Sequence, residues 1–408
     1  MRRIAFGIFL LLIFSLGFMK PSIESGFASL TPTDVIFPLA FVCWIGVLAA
    51  DSGNFKWRAE YSAFALYFLA LIVSAIFSVN PRFSFIKVAA SAYLIMLAVM
   101  GSTFVTTIPR LRLSVLAWLA GAIVPLLAAF LAIVLFYFVP ESSLLPDLTY
   151  HYGAVPVGNF PRISSTFISA SMFCNYLTVT LVFTLLAVKM KWIGKGLGAV
   201  IAFAVAVSAI FTVSIALGGV ALAAGLWLWA VSANKTIGQI GAIVCAAIAI
   251  AFLAIAPFSL SLLPGLSASS RLLVWRDAIN TFLADPVTGR GFGTAVANVT
   301  YQNSDGSWSL LTDAHNTFLS LAAQSGMLGL IGMIAIVIVT LRSGFAKVEG
   351  DNFDVLRGLA IAFLAAFVYD GMTASFEDAR HLWILVGLIL AANRIASDDD
   401  RLTALHCA

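Results

Sequence analysis

Apolar runs of roughly 17 to 25 residues recur from one end of the chain to the other, and that pattern leaves few folds open. A helix of this length crosses about 30 Å of hydrocarbon, whereas barrel strands would alternate apolar and polar residues over about ten positions. With 61% hydrophobic and only 10% charged residues, the chain also lacks the charged surface that a water-soluble globule needs. It reads as an all-α integral membrane protein. The net charge of +4 says little, because in a multi-pass chain the side on which basic residues lie outweighs their sum. No nucleic-acid partner is indicated. Cys43, Cys174, Cys245 and Cys407 are scattered without metal-ligand spacing and read as small core residues.

Spans are expected at about 4–19, 35–50, 61–79, 85–105, 115–139, 166–188, 197–213, 215–232, 237–257, 315–341, 356–374 and 381–395, about twelve in all. The basic start before residue 4 resembles a signal peptide, but Lys20, Pro21 and Glu24 follow where a small-residue cleavage site would stand, so an uncleaved first span is expected. With both termini cytoplasmic, 15 of the 23 Lys and Arg residues fall inside and eight outside, the bias expected of the cytoplasmic side. The chain then divides into nine N-terminal spans (1–257, with an outer loop at 140–165), a long outer loop (258–314), three C-terminal spans (315–395) and a cytoplasmic tail (396–408). Mid-span charge is nearly absent and no internal repeat stands out, which disfavours an ion-coupled carrier.

The outer loop 258–314 is the one long polar interruption and holds the candidate chemistry. A serine cap and Pro286 frame a helix over 269–283, with Trp275, Ala278, Ile279 and Phe282 on one stripe. Arg271 and Arg276 lie at the margins of that stripe, where an arginine either snorkels or meets phosphate. An arginine fork makes paired hydrogen bonds to phosphate oxygens, a property suited to a diphosphate. Gly289-Arg290-Gly291-Phe292-Gly293 is either a plain tight turn or a backbone presenting N–H groups to an anion; it is not the dinucleotide fingerprint. His315, between Asp313 and Asn316 at the start of a span, can take a proton from a sugar hydroxyl near neutral pH or serve as an interfacial anchor. His381 is its rival. No zinc-like cluster appears, so a metal-free reaction without cofactor is expected, although Asp277, Asp313, Glu377 and Asp378 could face a cation.

Ser270-Arg271-Leu272-Leu273-Val274-Trp275, Asp285-Pro286-Val287-Thr288-Gly289-Arg290-Gly291-Phe292-Gly293, His315-Asn316-Thr317-Phe318-Leu319 and Gln324-Ser325-Gly326-Met327-Leu328-Gly329-Leu330 together resemble the O-antigen ligase and polymerase family, which includes exopolysaccharide polymerases. Pro161-Arg162-Ile163-Ser164-Ser165-Thr166-Phe167 resembles the family's arginine segment before its sixth span. Ser165 replaces a common glycine and Gln324 a frequent carboxylate. The resemblance implies a GT-C-like, metal-independent, inverting glycosyltransferase of the bacterial inner membrane that works at the periplasmic face. The donor would be a glycan on undecaprenyl diphosphate, and the acceptor lipid A-core or, in a polymerase, a second lipid-linked glycan. Arg162 and Arg271 would then hold the diphosphate and His315 act as base. Arg276 and Arg290 are further phosphate candidates from local chemistry, with Asp313 and Asn316 in support. A protein-glycosylating relative and a lipid-glycan transporter are the other readings.

Overall fold

The computed structural model describes residues 2–25, 28–50, 57–154, 160–231, 235–255, 269–302, 308–346, 351–373 and 379–407. Each of the twelve apolar runs falls on a helix. The first five are α1 (Arg2–Ser15), α2 (Pro32–Ala50), α3 (Ala59–Ile76), α4 (Pro81–Phe104) and α5 (Ile108–Phe138), with a short hairpin of β1 (Ile23–Ser25) and β2 (Ala28–Leu30) between the first two. A one-turn α6 (Leu145–Leu148) and a hairpin of β3 (Thr149–Ala154) and β4 (Pro161–Ile163) form the first long loop. Next come α7 (Ala170–Lys189), α8 (Lys195–Phe211), α9 (Leu217–Val231) and α10 (Lys235–Ile255). The second long loop carries α11 (Ser269–Ala284) and a hairpin of β5 (Val299–Gln302) and β6 (Trp308–Leu311). The chain closes with α12 (Thr317–Gly344), α13 (Asp351–Thr373) and α14 (Arg380–Cys407).

Among the described residues seven helices (α2, α3, α4, α5, α7, α10 and α12) are long and apolar enough to cross a membrane, and α8 and α9 are shorter apolar helices. Large apolar side chains such as Val42, Leu127, Phe130, Phe203 and Ile243 face outward, as lipid-facing positions do. The protein is a multi-pass membrane protein.

Three features depart from the sequence reading. The long loops contain antiparallel hairpins besides helices. The last helix does not stop at residue 395 but continues through the acidic tail to Cys407. The expected span 315–341 is broken at Gly326, where φ is 62° and ψ −163°. Residues 256–268, at the start of the long polar loop, lie outside the described residues.

The core is built around α14, every residue of which is buried from His381 to Ala392. Close approach to α4 rests on small residues: a Cβ placed on Gly387 would stand 2.3 Å from the Ala98 carbonyl oxygen. α7 packs on α13 across the same core, where the Asn175 amide donates to the Ala366 carbonyl. Helix starts are marked chemically. Asn80 accepts a hydrogen bond from the Phe83 N–H and Pro81 occupies the first turn of α4, while Ser169 accepts from the Met172 N–H at α7.

Candidate active site

The head of α12 is organised by Asp313 and Asn316. Asn316 Oδ1 accepts from the Phe318 and Leu319 N–H groups, both at 3.1 Å, which makes Asn316 the N-cap and fixes where the helix begins. Asp313 Oδ1 accepts from the Ser320 hydroxyl at 2.9 Å and from the His315 N–H at 3.2 Å. His315 has a φ of 47°, a left-handed conformation that few residues other than glycine adopt. That geometry sets Nδ1 3.7 Å from Asp313 Oδ2, too long for a hydrogen bond but close enough for a carboxylate to orient the ring. About two-fifths of each side chain is exposed, so the pair is reachable by a substrate.

α11 closes over this head. The Trp275 indole N–H donates to the Ala314 carbonyl at 3.0 Å, and Val274 and Ala278 join Ala314, Ala323, Val296 and Ala297 in a small apolar cluster separate from the main core. The buried face of α11 is therefore narrower than the expected stripe: Ile279 is exposed, whereas Thr281, expected on the polar side, donates to the Val296 carbonyl at 3.2 Å.

The glycine turn fills the break in α12. An unbroken helix would bond the Met327 N–H to the Ala323 carbonyl and the Leu328 N–H to that of Gln324. Here Met327 and Leu328 donate to the Pro286 and Val287 carbonyls, while the Arg290 and Gly291 N–H groups donate to the Ala323 and Gln324 carbonyls. The Ser74 hydroxyl adds a second bond to the Gln324 carbonyl at 2.8 Å. All four backbone groups freed by the break are thus satisfied, as a membrane-depth helix requires. The Gln324 side chain clamps the same loop: its Oε1 accepts from the Gly293 N–H at 3.1 Å and its Nε2 donates to the Thr294 carbonyl at 3.0 Å. Gly289, Gly291 and Gly293 all have positive φ, and a Cβ at Gly289 would stand 2.4 Å from the Gln324 backbone. The turn is a structural plug, and its N–H groups at Arg290, Gly291 and Gly293 are spent on α12.

Between this plug, the start of α4 and the head of α12 lies a cavity of about 340 Å³. Lys87, Phe83 and Ser91 line it from α4, Phe292 and Gly293 from the turn, and Thr312, Asp313 and Gln324 from the β6–α12 segment.

The arginines fall at several places. Arg290 has its backbone in the plug and an exposed side chain, and Arg276 is exposed on α11. The backbone of Arg271 lies one turn before Trp275 on α11; its side chain lies outside the described residues. Arg162 is on β4, half-buried between the buried Pro161 and Ile163. Its segment is anchored by Lys20, whose ammonium donates to the Asp147 carbonyl at 2.5 Å and to Ser164 Oγ at 3.4 Å. Burial holds that ammonium below its ordinary range, against the pull of Asp147. The head of α12 thus brings together His315, Asp313 and Asn316 with the backbone of Arg290, and adds Lys87, Ser320, Trp275 and Gln324. Lys87 had one visible signal, a basic residue just inside an apolar run; Gln324 stood out only in the resemblance, as an amide in place of a carboxylate, and Ser320 had no signal beyond its polarity.

His381 takes a different place. It is buried beside Trp118 and Tyr176, with Nε2 2.7 Å from Asn175 Oδ1, while Asn175 Nδ2 donates to the Ala366 carbonyl at 2.7 Å. The amide orientation makes His381 Nε2 the donor, tying α14 to α7 inside the core. Among the described residues no group of three or more His, Cys, Asp or Glu side chains could hold a metal ion, and Glu377 and Asp378 lie outside them.

Comparison with known families gives one match: residues 168–334 fit a family model described as O-antigen ligase. That stretch contains α11, the glycine plug, His315 and the break in α12, and leaves Arg162 and Lys87 outside it. No curated protein matches the chain.

Proposed function

The chain belongs to the O-antigen ligase/polymerase family, and from that premise we propose that it transfers a glycan from undecaprenyl diphosphate to an acceptor hydroxyl at the periplasmic face of the bacterial inner membrane. The observation that carries this reading is His315, set in a left-handed turn beside an Asp313 that Ser320 holds. Nδ1 faces the carboxylate, which leaves Nε2, on the opposite edge of the ring, to take the proton. The acceptor oxygen attacks the anomeric carbon of the donor sugar, its proton passes to His315 Nε2, and the bond from that carbon to the diphosphate oxygen breaks. The electron pair leaves with the diphosphate and the anomeric centre inverts. Arg162 and Arg271 are assigned to the diphosphate, whose growing charge a permanently protonated fork stabilises, with Arg276 and Arg290 as outer contributors. The step needs no metal. GT-C-like architecture, twelve crossings and cytoplasmic termini complete the proposal.

The test is transfer by the purified full-length protein, in lipid nanodiscs, from an undecaprenyl-diphosphate glycan to lipid A-core. The expected product is a glycan joined to lipid A-core, formed equally well in the presence of EDTA. His315→Ala is expected to bind donor and to lose turnover by a factor on the order of 10²–10⁴, the scale of general-base catalysis. Product made only when a second lipid-linked glycan is the acceptor identifies a polymerase instead. Export of the glycan by His315→Ala at the wild-type rate, without transfer, would point to a transporter.

A further inference from the structure

The cavity beside Asp313 is not needed to hold a diphosphate, yet it is built like a binding site. Its volume of about 340 Å³ lies within the range of about 300–1,000 Å³ typical of small-molecule pockets. Lys87 supplies a cation. Its stem packs over Gly293, where a Cβ would stand 2.3 Å from the lysine Cγ, and Phe83 is the ring nearest the ammonium, 5.8 Å away. Among the described residues no carboxylate comes within ion-pair distance of it. An ammonium in a confined space with no carboxylate beside it among the described residues favours an anion there, because charge interactions strengthen as water is excluded. The rest of the wall is not that of a phosphate cradle. Phe83 and Phe292 bring aromatic side chains, a type suited to the apolar side of a sugar, and Ser91 and Thr312 bring hydroxyl side chains. The N–H groups of the adjacent glycine turn at Arg290, Gly291 and Gly293 are already bonded to α12. A lone ammonium is also a point charge rather than the fork that grips two phosphates at once. Finally, Asp313 belongs both to this cavity and to the His315 pair.

We propose that this cavity is the acceptor subsite and takes an acidic sugar, whose phosphate or carboxylate meets the Lys87 ammonium while a hydroxyl is turned toward Asp313 and His315. This rests on the transferase reading above for the identity of the acceptor, though not for the binding itself. Lys87 is a binding residue for the acceptor and has no part in donor affinity.

Equilibrium binding to the full-length protein in nanodiscs tests it, with glucose 6-phosphate, glucuronate, glucose and inorganic phosphate as probes and undecaprenyl diphosphate as a separate arm. The wild-type protein is expected to bind glucose 6-phosphate and glucuronate more tightly than glucose or phosphate. Lys87→Ala is expected to weaken the acidic sugars about tenfold, Lys87→Arg to restore most of that loss, and both to bind undecaprenyl diphosphate as wild type does. Absence of acidic-sugar binding by the wild-type protein, equal binding by Lys87→Ala, binding of free phosphate as tight as that of the sugar phosphate, or loss of the lipid diphosphate in Lys87→Ala would each overturn the assignment. If the transferase reading alone is wrong, undecaprenyl diphosphate fails to bind the wild-type protein while acidic sugars still bind through Lys87.

Discussion

At the scale of single residues, the site depends on one imidazole whose surroundings are fixed by backbone geometry. Asp313 stands with Oδ2 3.7 Å from His315 Nδ1. Replacing it by asparagine keeps the shape, including an oxygen for the Ser320 hydroxyl and the His315 N–H, but removes the charge. Asp313→Asn is therefore expected to lower the maximal rate, because the imidazolium formed in the step loses its facing charge. An unchanged rate would show that the carboxylate does not act on the imidazole. Gln324 makes a comparable point about an amide. It accepts from Gly293 and donates to Thr294, and an ionised carboxylate can do only the first. Gln324→Glu loses the donated bond and sets a charge against the Thr294 carbonyl, so thermal stability is expected to fall by about 1–3 kcal/mol, the cost of a buried polar group left unsatisfied.

At the scale of elements, the broken helix and the glycine turn form one device. Gly326 adopts a backbone conformation that is almost confined to glycine, and a Cβ there would stand 2.2 Å from the Val287 carbonyl oxygen. Gly326→Ala must either push the turn out of the break or restore a continuous helix, and both leave backbone groups of the turn without partners. The expected result is a strong loss of folded protein, or, if it folds, easy proteolysis within 285–293 and no transfer; a stable, active Gly326→Ala protein would refute the coupling of break and turn. The helices were legible in the sequence because an apolar run of sufficient length has one outcome in lipid. The break was not. Residues 315–341 are mostly apolar, and what makes Gly326 a breakpoint is a partner segment in the preceding loop, a long-range fact that local pattern does not carry. The same holds for the site: His315 and Asp313 stand out as neighbours in sequence, whereas Lys87 joins them only because the turn after α3 and the head of α12 meet around the plug. The buried stripe of α11 was half legible, since helical period gives a face but not which edge of it meets Ala314 and Val296.

At the scale of the whole molecule, the question is what fastens the peripheral helices to the core. α2 buries little of its length, and an apolar helix exposed to lipid gains nothing from the hydrophobic effect by leaving lipid for protein. Its N-terminal end is held electrostatically. Arg380, at the start of α14, donates to both oxygens of Asp34, from Nε at 3.0 Å and from Nη2 at 2.9 Å, and the Thr31 N–H and hydroxyl complete the carboxylate at 2.9 and 2.8 Å. The guanidinium also stands 6.0 Å from the Tyr93 ring centroid on α4, so three helices meet at one charge pair. This gives Arg380 a structural partner in Asp34. Both side chains are mostly buried, at 20% and 14% exposed, so removing one partner strands the other in a medium that solvates it poorly. Asp34→Ala and Arg380→Met are each expected to lower stability in detergent by about 3 kcal/mol, the low end for breaking a buried pair. The double variant should cost less than the sum, because neither charge is then stranded. Additive losses would mean that the two residues act separately, and unchanged thermal unfolding in both single variants would mean that α2 is held by packing after all.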